Sequence, residues 1–96
     1  MMQHLYKFYL YVVGQAAEKD APIVKNVRDS LRVMFGNDYS LDVVDVVKNP
    51  QSAVDQGILF TPTLMKMVPE PKKRVVGNFL DKTKTIEALK LIQAVP

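Results

Sequence analysis

A chain of 96 residues, 48% hydrophobic and 24% charged, has material for one modest core and excludes a disordered polypeptide. Its formal net charge of +3 is too small to supply the clustered basic face that phosphate-backbone binding needs, so nucleic acid is not an expected partner. With no cysteine, a disulfide, a thiolate metal site and a thiol redox centre are all excluded.

The first residues, Met1 to Lys7, lack a basic segment followed by an apolar one, so no secretory leader is expected. No apolar run approaches the ~18–20 residues that span a bilayer, and the expected setting is the cytoplasm with no membrane partner. One domain over residues 1–96 is expected, since no linker, repeat or low-complexity tract divides the chain.

Leu5 to Val13 is apolar except for Lys7 and reads as a strand buried on both faces, ended by Gly14. From Asp20 the pattern changes, and Val24, Val27, Leu31 and Met34 form one helical stripe. Asp20 is the expected N-cap, Pro22 fits the first turn, and Gly36-Asn37 is a stop signal. Tyr39 to Val47 is a second strand. Asn49 and Pro50 then open a short helix that Gly57 can close. Within Ile58 to Val68, Pro62 delays the third strand until after itself. Pro69-Glu70-Pro71 reverses the chain into a short strand over Lys72 to Val76, paired antiparallel with Thr63 to Met67. Gly77-Asn78 breaks that strand, and Asp81 caps a last helix with Ile86, Leu89 and Ile92 on one face.

The predicted order is β-α-β-α-β-β-α, an α/β sandwich of one mixed sheet with helices on its faces. It resembles a thioredoxin-like domain, with Pro62 at the corner where such folds place their active-site proline; a cis bond there is as readily expected as a trans one. Where enzymes of that fold hold a reactive cysteine, Gly14 to Asp20 offers neither thiol nor serine. Glu18 and Asp20 also oppose an anion at the following helix start.

No other constellation carries catalysis. Asp42 and Asp45 lie three apart on a strand, point to opposite faces and are no acid–base pair. Asp45 is expected to accept hydrogen bonds from the following turn or to pair with Lys48. His4, the single histidine, is expected at the surface, and neither a metal site nor a cofactor is expected. Tyr6, Phe8, Tyr9 and Tyr11 read as core and interface residues in preference to base-stacking ones. Lys72-Lys73-Arg74 is the densest charge, an edge guard or a contact for an acidic partner.

Three segments together resemble the KaiB family of small bacterial circadian clock proteins. They are Tyr11-Val12-Val13-Gly14, then Val44 to Gln51, then Thr61-Pro62-Thr63-Leu64 continuing through Pro69-Glu70-Pro71 to Arg74-Val75-Val76-Gly77. The resemblance runs from Leu5 to Ile92. It implies a non-enzymatic regulator that binds a KaiC-type ATPase or a related signalling partner such as a sensor histidine kinase, in circadian timing or stress adaptation. It also implies a resting homodimer or homotetramer, and an alternative packing of the segment after Pro50. Lys66, Lys73 and Arg74 match basic family positions and are the implied partner contacts, while Pro62, Gly77 and Asn78 are implied to set the backbone states.

The chain departs from the family in ways that mark a divergent member. Gly77-Asn78-Phe79-Leu80-Asp81 stands where Gly-Asp-Leu-Ser is typical. Gly57 replaces a commonly basic residue of the KaiC-facing surface, and Asp42 sits where lysine is common. A second reading, from another class, is a thioredoxin-fold enzyme that binds glutathione or a peptide at Pro62 without a thiol.

Overall fold

Alternation along the first strand decides what the helices cover. In the computed structural model, which describes residues 5–93, β1 (Tyr6–Val12) points Phe8, Leu10 and Val12 to one face and Tyr9 and Tyr11 to the other. The expectation for His4 lies outside the described residues. β2 (Tyr39–Asp45) runs parallel to β1 after the crossover helix α1 (Pro22–Phe35). After the short α2 (Pro50–Asp55), β3 (Thr63–Val68) lies antiparallel on the other side of β1 and forms a hairpin with β4 (Lys73–Val76). The four-stranded sheet has the order β2-β1-β3-β4, and α3 (Lys82–Gln93) closes the fold. A 3-10 turn at Gly14–Ala17 is the one element that the sequence pattern did not announce.

Helices α1 and α3 share one face of the sheet. Ile23, Val24, Val27 and Leu31 of α1 and Leu89 and Ile92 of α3 bury against Phe8, Leu10, Val12 and Leu64. Each fully buried aliphatic side chain contributes about 1.5–3 kcal/mol by leaving water, so this layer dominates the stability. Tyr6 stacks on Phe35 with centroids 4.1 Å apart, which pins the end of α1 to the start of β1. On the opposite face, the Tyr11 hydroxyl lies 3.4 Å from Ser52 Oγ and ties α2 to the sheet. The β1 aromatics are therefore structural.

Two expected caps differ in outcome. Asp81 Oδ1 accepts the Lys84 amide at 2.9 Å, as an N-cap should. Asp20 does not cap α1: Pro22 occupies its first turn, and a residue before proline is driven to extended backbone, so Ala21 (φ −61, ψ 142) becomes the N-cap without a side-chain bond.

The turn between β4 and α3 is fastened from α1. Asn26 Nδ2 donates to the Phe79 carbonyl at 2.7 Å and to Thr85 Oγ1 at 3.1 Å, and Thr85 Oγ1 in turn donates to the Asp81 carbonyl at 2.8 Å. Phe79 is buried and holds a positive φ of 55, which a non-glycine residue tolerates only when its surroundings over-determine it. Replacing Asn26 with alanine removes both side-chain bonds and should cost about 1–3 kcal/mol in urea unfolding. Amide exchange should accelerate between Phe79 and Thr85. A loss below about 0.5 kcal/mol would mean that the Phe79 ring alone orders this turn.

Candidate interaction surface

The sheet register separates the three basic residues expected to act together. Lys66 pairs with Phe8 across β1–β3 and with Lys73 across β3–β4, so Lys66 and Lys73 project on the helix-covered face, while Arg74 projects on the opposite one. Lys66 corrects the expectation of a surface contact. It is 0% exposed, and its ammonium has no hydrogen-bond partner among the described residues. The reason is parity: Leu64 points into the core, and Lys66 two residues on must follow it. Burial, helped by the charge of neighbouring Lys73, holds the Lys66 ammonium below its ordinary pKa. Lys73 is half-buried and Arg74 is exposed.

Arg74 Nη1 donates to the Gly57 carbonyl at 3.0 Å, joining β4 to the end of α2. Gly57 adopts φ +65 just past that helix, a left-handed conformation that favours glycine. Beyond Gly57 the chain exposes Leu59 (85%) and Phe60 (65%), beside Val54 of α2 (70%). With Pro50, Ala53 and Ile58 these residues border a groove of about 370 Å³. Isolated exposed apolar residues are ordinary, but a clustered set around a concavity marks an interaction site. The sequence reading missed it. Its signal is the apolar Ile58-Leu59-Phe60 run, which lies before Pro62 and so outside the third strand.

The three residues expected to set backbone states do meet. The Pro62 carbonyl accepts the Gly77 amide at 3.2 Å, and Asn78 Oδ1 accepts the Leu80 amide at 3.0 Å. The Thr61–Pro62 bond is cis. Gly77 has no positive φ, and a Cβ there would meet the Phe79 ring at an ordinary 3.6 Å. The left-handed position in this turn thus belongs to Phe79.

Asp45 has the structural role expected of it, extended to a second loop. Its Oδ1 accepts the Gly14 amide at 3.1 Å and the Val47 amide at 2.9 Å, which fastens the end of β1 to the turn after β2. These two bonds, the one from Gly14 foremost, lower its pKa. A depressed folded-state pKa contributes stability above the unfolded value of about 3.9 that is lost as pH falls through the folded one. Asp45→Asn should therefore flatten the acid limb of the stability curve below about pH 4. An unchanged acid limb would overturn this assignment. Among the described residues no group of histidine and carboxylate side chains could hold a metal ion, and no described helix is long and apolar enough to cross a membrane.

The KaiB domain matches residues 9–91. This chain belongs to the KaiB family. Within it, the circadian clock oscillator protein KaiB of Synechococcus elongatus is 39% identical over 87 residues, covering 91% of this chain and 84% of that protein. The fold is thioredoxin-like. The solution structure of the N-terminal domain of Synechococcus elongatus SasA superimposes with a TM-score of 0.72 at 22% identity, covering 100% of this chain and 91% of that one. Chloroplastic thioredoxin z follows at a TM-score of 0.65 and 17% identity, covering 94% of this chain and 80% of the other. The KaiB-family segments found in the sequence map onto the end of β1, the β2–α2 junction and the β3–β4 hairpin.

Proposed function

We propose that this KaiB-family member is a non-enzymatic regulator that works by docking the face around α2, Leu59 and Phe60 on a KaiC-type ATPase, in circadian timing or stress adaptation. The observation that carries the reading is the apolar cluster of Val54, Leu59 and Phe60, three exposed large hydrophobic residues that border one groove. Apolar centres with charged rims supply affinity and orientation respectively. Arg74, anchored on the Gly57 carbonyl beside the cluster, supplies the rim, and Lys73 follows on the other face of the same strand. The backbone states that the family resemblance implies would turn on the junction of Pro62, Gly77 and Asn78, and a resting homodimer or homotetramer would cover the same apolar face.

Size-exclusion chromatography with light scattering, with and without a KaiC-type ATPase and ATP, tests the proposal. Co-elution is expected, together with an affinity that falls several-fold between low and physiological salt because exposed charges are screened over roughly 10 Å. Separate elution at tens of micromolar of both proteins would overturn it. Saturable binding of glutathione, with no complex formed, would support the enzyme reading instead.

A further inference from the structure

The two margins of the sheet differ in how they meet an incoming strand. β4 is short and carries Lys73 and Arg74, the kind of charge that deters strand addition. β2, on the other margin, is 7 residues long and holds no lysine, arginine or proline. Among the described residues no strand pairs with its outer side. We propose that two copies of this chain join antiparallel along β2, centred on Leu41, and merge their sheets into one. This contact uses none of Val54, Leu59 and Phe60, so it does not rest on the docking face proposed above.

Alternation decides which backbone groups are free. The Asp38 carbonyl accepts the Tyr6 amide at 3.1 Å, and the Val46 amide donates to the Val12 carbonyl at 2.9 Å. Even-numbered residues of β2 therefore turn their backbone toward β1, and Tyr39, Leu41 and Val43 turn theirs outward. The outward run stops there, because the Asp45 carbonyl already accepts the Lys48 and Asn49 amides. Hollows of about 290 and 300 Å³, one on each face of the sheet, both reach Val43, so the margin is open at that residue.

Charge selects the register and, with it, a second copy as the occupant. Like charges directly opposite each other destabilise a strand pair. Centring two β2 strands on Asp42 sets that carboxylate against itself, and centring on Ser40 sets it against Asp38. Centring on Val43 brings Leu41 opposite Asp45, whose carbonyl is taken. The register centred on Leu41 avoids all three conflicts. It sets Leu41 against Leu41, Tyr39 against Val43 and Ser40 against Asp42, and it pairs every outward N–H and C=O of Tyr39, Leu41 and Val43. Asp42 is exposed, Ser40 is half-buried, and neither side chain has a partner among the described residues. Each Ser40 hydroxyl can thus donate to the second copy's Asp42 carboxylate. A two-fold axis supplies this complement twice, as a self-complementary interface requires.

Pairing along so short a strand buries less than the ~1,200 Å² of stable complexes, so sedimentation velocity of the full chain should give a dimer dissociation constant on the order of 100 µM. Isotope-filtered NMR of a mixed labelled and unlabelled sample should show α-proton contact between Ser40 of one copy and Asp42 of the other. Ser40→Asp sets carboxylates against each other at both symmetry-related positions and should weaken the dimer about tenfold. Adding Asp42→Lys to that variant should restore it, because opposite charges then face each other in the Leu41-centred register and like charges in those centred on residues 40 and 42. The Leu59→Ser, Phe60→Ser pair should leave the dimer intact. A monomer at about 1 mM, where even weak pairs populate, would overturn the proposal. So would a dimer lacking the Ser40–Asp42 contact, failure of the charge swap to restore pairing, or loss of the dimer in the Leu59, Phe60 variant.

Discussion

Lys66→Met should stabilise this packing by about 1–3 kcal/mol at neutral pH, because it removes a covered cation whose hydrogen-bonding capacity goes unmet. For a domain of this size that corresponds to an increase in Tm of roughly 4–8 °C per kcal/mol. The lower part of the range is the better expectation, because Lys66 lies opposite Phe8 and Lys73, toward the margin of the helix layer and away from its middle. The pH dependence carries the signature. Folding lowers the Lys66 pKa, so the unfolded chain binds more protons from the folded value up to the unfolded value of about 10.4, and stability must rise with pH across that window. Urea titrations at pH 7 and pH 10 should show that gain in the parent chain and lose it in the variant. A variant less stable than the parent, or one with the same alkaline slope, would defeat the explanation.

The same residue bears on conformational choice. Packings that interconvert differ by only a few kcal/mol. Any arrangement of the C-terminal half that returned Lys66 to water would recover the burial penalty. Lys66→Met should therefore shift any such equilibrium toward the thioredoxin-like packing described above, measurable as a gain in the NMR signals of that packing.

The second large effect is on association. Replacing Leu59 and Phe60 with serine should weaken binding to a KaiC-type ATPase by about 30-fold or more, because truncating a central apolar anchor typically costs 2 kcal/mol or more, roughly 30-fold in affinity. Folding stability should change by less than about 0.5 kcal/mol, since both side chains face solvent in the free chain. Surface plasmon resonance on the variant, beside its urea midpoint, separates the two quantities. Undiminished affinity would move the docking face elsewhere on the molecule.

Local patterns made most of the architecture legible. The apolar run before Gly14, the stripe from Val24 to Leu31, the Pro62 boundary and the Asp81 cap are decided by neighbours within a turn or a strand, and they fall where spacing placed them. The KaiB-family segments were equally readable, because the identities that carry them are contiguous. Ala21 displaces Asp20 as the N-cap through a rule that is equally local, since the residue before Pro22 is driven to extended backbone.

What spacing could not decide was the surroundings of each side chain across the sheet. Alternation along β4 already sets Lys73 and Arg74 on opposite faces, but only the sheet and the helix layer over it turn Lys66 into the core. The Asn26 bonds to Phe79 and Thr85 join residues 53 and 59 positions apart, a distance at which no periodicity speaks. The exposure of Leu59 and Phe60 is not legible in an apolar run, since it depends on whether another element packs over the loop that carries them. By itself the amino-acid sequence determined the element order, the family and the absence of thiol chemistry, since these depend on local identity. Register and the coverage of each face depend on long-range packing, and only the tertiary structure decided which of those residues meet solvent, a partner or the core.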